Sequence, residues 1–190
     1  MIIAFKGYKQ SGKTTAAQYL EEKYGFIRIN FKDALVKEIK ERYPDLLEEI
    51  LHIESRLDSK YAHHLKTVDD LFIYKPPLMR ALMVNFGTDD RRKDNNNYWV
   101  DKWKYAAAKV YPENNIVVDD VRFLNEAVAV NDFGGNIVQI ERSDITDGGT
   151  HVSETEQNDI FADYIMSVEK GDHESLYKKL DAIIENEGGV

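Results

Sequence analysis

A chain of 190 residues, 43% hydrophobic and 31% charged, suits one domain with a substantial core. It contains no cysteine, which excludes disulfides, thiolate metal sites and cysteine nucleophiles. A net charge of −9 argues against stable nucleic-acid binding, and no apolar run reaches transmembrane length, so neither nucleic acid nor membrane is an expected partner.

Met1–Phe5 is a short apolar run that reads as a buried strand. No targeting segment is expected ahead of it, and the cytoplasm is the expected compartment. Gly7-Tyr8-Lys9-Gln10-Ser11-Gly12-Lys13-Thr14 follows, and then Thr14–Tyr24 with helical patterning up to a stop at Gly25. Phe26–Phe31 reads as a second strand and Asp33–Tyr43 as a helix ended by Pro44. Asp45–Lys66 suggests one or two further helices; Thr67–Tyr74 is ambiguous. Pro77 is placed to open a helix over Leu78–Phe86. Gly87–Asn97 is polar and turn-rich, hence a loop, and Tyr98–Val110 is helical.

Asn115–Asp120 is an apolar run closed by two carboxylates, as expected of a buried parallel strand delivering side chains to a site. Phe123–Asp132 is a helix stopped by Gly134-Gly135, Asn136–Glu141 a strand and Arg142–Gln157 a loop. Tyr164–Val168 and Glu174–Glu187 supply a last strand and a closing helix. Short apolar strands interleaved with helices predict one α/β domain with a mostly parallel sheet and helices on both faces.

Strand, glycine-rich loop and helix are the setting in which the Gly7–Thr14 pattern becomes a phosphate site. Backbone N–H groups of Gly7, Lys9, Gln10, Ser11, Gly12, Lys13, Thr14 and Thr15 can wrap a polyphosphate at the positive end of a helix. Lys13 would reach the β- and γ-phosphates, and the Thr14 hydroxyl would bind Mg²⁺. Asp119 and Asp120 close the third strand, where a metal-linked carboxylate is expected. Arg122 can pair with a phosphate, or with Glu126 one helical turn away. Arg80, Arg91 and Arg92 flank Gly87-Thr88 and suit a second phosphate; Arg142 follows the fourth strand and could reach a transferring phosphoryl group. His151 and Glu154 lie at His-x-x-Glu spacing without a second histidine nearby, which argues against a protein-only metal site. Ser153 with Glu156 also fits a capping box. Among Tyr8, Phe31, Phe86 and Trp99, one could stack on a base. No nucleophilic triad is visible, and none is needed if the acceptor is a phosphate, largely ionised at neutral pH.

Val118-Asp119-Asp120-Val121-Arg122-Phe123-Leu124-Asn125-Glu126-Ala127 resembles the D-V-R-F-x-N-E-A signature of the phage-type deoxynucleoside monophosphate kinases. Asn30–Lys37 is similar to that family's F-A-D-x-L-K segment, Phe86–Asp89 with Arg92 to its G-T-E-x-x-R, and His151–Glu154 to its H-x-S-E. The resemblance implies a P-loop three-layer fold with five strands in the order 2-3-1-4-5 and ATP-dependent, Mg²⁺-assisted phosphorylation of a deoxynucleoside monophosphate for DNA precursor synthesis. It implies one domain over 1–190 with an acceptor-binding helical insertion at about 32–112 and a short lid at about 142–158. By position, Lys13, Arg122, Asp120 and Arg142 would be catalytic. Thr14 and Asp120 would hold the metal. Phe31, Asp33, Arg80, Arg92, Asp120, Arg122, His151 and Glu154 would face the acceptor. The partners implied are small-molecule nucleotides and a second copy as a homodimer, in the host cytoplasm if the gene is a phage's. Lys32, Asp89 and Asp119 depart from the family pattern and bear on which acceptor is taken.

Two other readings share the loop. One is a P-loop kinase for another small acceptor, such as dephospho-coenzyme A. The other is a non-catalytic nucleotide-binding module, against which stands the absence of an Asn-Lys-x-Asp base-reading motif.

Overall fold

The computed structural model describes residues 1–145 and 156–188, with only the backbone of 88 and 89. Its centre is a parallel five-stranded sheet in the order β2-β3-β1-β4-β5, as the resemblance implied. The strands are β1 (Ile2–Lys6), β2 (Ile27–Arg28), β3 (Ile116–Val118), β4 (Asn136–Glu141) and β5 (Tyr164–Ser167). β1 pairs with β3 from Ile2 opposite Ile116 and with β4 from Ile3 opposite Asn136.

Every residue of β1 is buried because its alternating side chains enter two cores. Ile3 and Phe5 pack with Ala16, Ala17 and Leu20 of α1 (Lys13–Tyr24) and Leu176 and Leu180 of α8 (His173–Asn186). Ile2 and Ala4 pack with Trp103 and Ala107 of α6 (Tyr98–Ala107) and Ala127 and Val130 of α7 (Leu124–Asp132). α1 ends at Gly25, whose φ of +68° lets its N–H close back on the Glu21 and Leu20 carbonyls.

The chain divides into two compact units, Met1–Phe31 with Val100–Val190, and Lys32–Trp99. The second has its own core of Ile39, Leu47, Ile50, Leu65, Leu71, Met79, Phe86 and Trp99. It contains most of α2 (Phe31–Arg42), with α3 (Pro44–Glu54), α4 (Val68–Tyr74) and α5 (Pro77–Val84). The ambiguous Thr67–Tyr74 stretch is helical because Thr67 and Asp70 form a capping box. Pro77 opens α5, as its fixed φ favours.

Two elements differ from expectation. The second strand is only Ile27–Arg28, since Asn30 accepts the Asp119 N–H through its side chain and Phe31 already begins a helix. Gly87 does not open a loop: Asn85–Arg92 is a π-helix running on from α5. The Gly87 carbonyl accepts the Trp99 indole N–H at 2.9 Å, and Leu35 packs where a Gly87 side chain would stand.

Candidate active site

A parallel sheet brings the C-terminal ends of all its strands to one edge, and ligand sites form there. β1 delivers the glycine-rich loop to that edge, β3 delivers Asp119 and Asp120, and β4 delivers Arg142. Gly7, Gln10 and Gly12 have φ of +135°, +66° and +109°, so the loop coils back on itself. Such turns aim successive N–H groups into one concavity, and the start of α1 carries no side-chain cap to fill it. Gly7 must lack a side chain, because a Cβ there would meet the Ile140 carbonyl oxygen at 2.4 Å.

The Lys13 ammonium lies over the loop and donates to the carbonyls of Gly7 at 2.6 Å and Tyr8 at 2.7 Å. Thr14 is exposed on the first turn of α1 and Thr15 is half-buried. Lys9 and Gln10 are exposed; Ser11 is buried, its hydroxyl without a hydrogen-bond partner among the described residues. Arg142 steadies the loop from β4 by donating to the Gln10 carbonyl at 2.7 Å. Its other edge forms a two-point pair with Asp144 at 2.8 and 2.6 Å, which holds that carboxyl below its ordinary range. A cavity of about 420 Å³ opens beside the loop, lined by Tyr8, Ser11, Glu141, Arg142, Ser143 and Asn158 among others.

The adjacent carboxylates after β3 have separate surroundings. Asp119 is buried; its carboxylate accepts from Arg28 at 3.2 Å, and Arg28 also pairs with Glu21 of α1. Asp120 is half-buried and accepts the Phe31 N–H at 3.1 Å. Arg122 is half-buried at the root of α7. There Glu126 accepts the backbone N–H groups of Arg122 and Phe123 at 2.8 and 3.2 Å, so it caps the helix. Glu156 accepts the Leu124 N–H at 2.9 Å and thus caps α7 from another segment.

Phe31 is only 3% exposed and stacks on Trp103 at 4.8 Å, which makes its ring part of the core and removes it as a stacking surface for a nucleoside. Phe86 and Trp99 are buried too; of the four candidate aromatics only Tyr8 stays half-exposed. In the second unit Asp33 and Arg80 are exposed, and Arg92 donates to the Asn96 carbonyl at 3.4 Å. Arg91 lies against Phe86 and Tyr98, with Glu38 at 3.4 Å. His151, Ser153 and Glu154 lie outside the described residues.

Lys6, Glu21, Arg28, Asn30 and Asn158 were missed by sequence reasoning. Lys6 carried one signal, a lysine directly after an all-apolar strand. It is 4% exposed and donates to the Gln157 and Ile160 carbonyls. Burial pushes its ammonium below the ordinary lysine value, opposed by Glu141 and Asp159.

No cluster of three or more His, Cys, Asp or Glu suited to a metal ion occurs among the described residues. Mg²⁺ in a phosphate site takes one or two protein oxygens, and phosphates and water complete the octahedron. Thr14, Asp119 and Asp120 are among the oxygen-bearing side chains at this edge.

No protein-family model matches the chain. It is 31% identical over 197 residues to a protein of Acanthamoeba polyphaga mimivirus named "Putative deoxynucleotide monophosphate kinase", covering 98% of this chain and 97% of that one. The chain belongs to the deoxynucleotide monophosphate kinase family. With its phosphate loop and parallel sheet it is a P-loop kinase. Among solved structures it is similar to TT1252 from Thermus thermophilus (14% identity, TM-score 0.48, 98% of this chain and 97% of that). Dephospho-CoA kinase from Campylobacter jejuni gives 14% identity and a TM-score of 0.47, covering 97% and 96%. Shikimate kinase from Bacteroides thetaiotaomicron gives 15% and 0.43, covering 97% and 96%. No described helix of this kinase is long and apolar enough to cross a membrane.

Proposed function

We propose that the protein transfers the γ-phosphoryl group of ATP to the 5′-phosphate of a deoxynucleoside monophosphate, giving the diphosphate for DNA precursor synthesis. The observation that supports this best is the coiled Gly7–Thr14 loop with Lys13 over it, in a chain related end to end to a protein named for that activity. The acceptor's second pKa of about 6 leaves it largely a dianion at neutral pH, so the site needs no general base. Catalysis then rests on alignment and charge neutralisation. In this reading the loop N–H groups and Lys13 hold the donor phosphates. Arg122, just ahead of a capped helix, faces the acceptor phosphate, and Arg142 fixes the loop and adds positive charge. Mg²⁺, when bound through Thr14 and Asp120, would neutralise charge on the donor oxygens. Asp33, Arg80, Arg92, His151 and Glu154 are assigned to the acceptor by resemblance, Arg80 and Arg92 also by their place beside Gly87-Thr88.

The test is a coupled ADP-release assay with Mg-ATP against dAMP, dGMP, dCMP, dTMP, their ribose counterparts and dephospho-coenzyme A, with a no-acceptor control. ADP formation that depends on one or more deoxynucleotides is expected, and Lys13→Ala is expected to abolish it. Dependence on dephospho-coenzyme A alone, or on no acceptor at all, would overturn the proposal.

A further inference from the structure

The short helix Glu156–Asp159 is held from two directions. From β1, buried Lys6 donates to the Gln157 carbonyl at 3.1 Å and to that of Ile160. From the phosphate loop, the Tyr8 hydroxyl donates to Asn158 Oδ1 at 3.1 Å. The helix's first residue, Glu156, accepts through Oε1 the N–H of Leu124, the first residue of α7, at 2.9 Å. Lys6 immediately precedes Gly7, and Leu124 lies two residues beyond Arg122. A buried lysine persists where its donors are met, so the two carbonyls fix this turn against β1 while Glu156 fixes the α7 terminus against the turn.

We infer that Lys6, Glu156 and the turn between them form a positioning bridge that sets Arg122 relative to the phosphate loop. Neither residue touches a reacting atom. Lys6 acts through the turn, and Glu156 through the backbone that carries Arg122. Donor binding at the loop is then transmitted to the first turn of α7. This rests on the proposed kinase reading for what Arg122 meets, but the coupling itself needs only the donor nucleotide.

The test is amide hydrogen exchange of the full chain with and without Mg²⁺ and the non-hydrolysable ATP analogue AMPPNP. In the native protein the analogue is expected to slow exchange by about tenfold or more at loop amides and also at Leu124–Ala127, a typical size for coupled sites. Glu156→Ala should keep the loop response and lose the α7 response. Glu156→Gln, which retains an acceptor oxygen, should restore it, and Lys6→Met should behave like Glu156→Ala. A purely structural role would lower protection in both states without removing the response. An α7 that ignores the analogue in the native protein, or responds fully in Glu156→Ala, overturns the bridge. If the bridge behaves as expected while no deoxynucleotide supports ADP release, only the substrate reading falls.

Discussion

Gly7→Ala separates the claim that the loop's shape is imposed by packing from the weaker claim that the loop is merely glycine-rich. A side chain at φ +135° is strained, at about 1–2 kcal/mol for an L-residue in left-handed space. The added Cβ would also stand 2.4 Å from the Ile140 carbonyl oxygen, inside the limit that real Cβ contacts respect, and in tight contact at 3.0 Å with Ser11 Oγ. Ile140 is 1% exposed in β4, hydrogen-bonded between β1 and β5, so relief must come from moving sheet backbone; overpacking of this kind costs about 1–3 kcal/mol. Together these predict about 2–5 kcal/mol, and a fall in Tm of roughly 4–20 °C for a chain of this size. Gly25→Ala is the control: its φ is +68°, but nothing lies within 4 Å of its Cβ position, so only the strain remains. Thermal unfolding by circular dichroism, with AMPPNP affinity by calorimetry, reads both effects. Gly7→Ala should be clearly less stable than Gly25→Ala and should lose nucleotide affinity, whereas Gly25→Ala should keep it. Equal stability of the two variants with undiminished nucleotide binding would refute the packing argument.

Arg122→Ala should raise the KM for the acceptor by one to two orders of magnitude, the scale of a lost charge-assisted phosphate contact, and leave ATP binding within about threefold; equal loss of both would place Arg122 on the donor side. Arg28→Met leaves the buried Asp119 carboxylate without its Arg28 partner and should cost about 3–5 kcal/mol in urea unfolding, a loss below about 1 kcal/mol refuting that role. Asp120→Asn should raise the Mg²⁺ concentration for half-maximal activity more than Asp119→Asn does, the opposite order reversing their assignment. Hydrogen bonds from the Lys66 and Thr67 backbone hold the Asp70 carboxyl below its ordinary value. A depressed folded-state pKa contributes stability above the unfolded pKa of about 3.9, lost as pH falls through the lower folded value. Acid unfolding of Asp70→Asn should therefore lose part of this acid limb, and an unchanged profile would count against the capping box.

β1 and β3 were legible because Ile2–Phe5 and Ile116–Val118 are continuous apolar runs. The phosphate loop was legible because its chemistry lies in the backbone, which glycine spacing reports directly. β2 was overextended because Phe26, Ile27, Ile29 and Phe31 keep Phe26–Phe31 largely apolar, while its end is decided by Asn30 and Asp120, the latter 89 residues from the Phe31 N–H it accepts. The π-helix was read as a loop because Asn, Asp and Gly dominate its composition, whereas Leu35 and the Trp99 indole hold it from elsewhere in the second unit. Arg28 and Lys6 escaped notice for the same reason. Their buried partners are remote in sequence: Asp119 is 91 residues from Arg28 and Gln157 is 151 from Lys6.

The paired carboxylates after β3 illustrate why neighbouring residues of one type need not share one job. Side chains of successive residues leaving a strand point to opposite sides. Asp119 accordingly turns into the protein, where Arg28 accompanies its charge and Asn30 fixes its backbone, so a hydrated cation could reach it only by disrupting that pairing. Asp120 turns toward the Phe31 N–H, stays half-buried, and is oriented by that contact much as an outer-shell hydrogen bond orients a metal ligand. A Mg²⁺ ion that keeps most of its ligands as water and phosphate needs a reachable, pre-oriented oxygen more than a buried one. That favours Asp120 as the metal-side group of the proposed reaction. It gives Asp119 the complementary work of anchoring β2 and α1 beneath it, through Arg28 and Glu21.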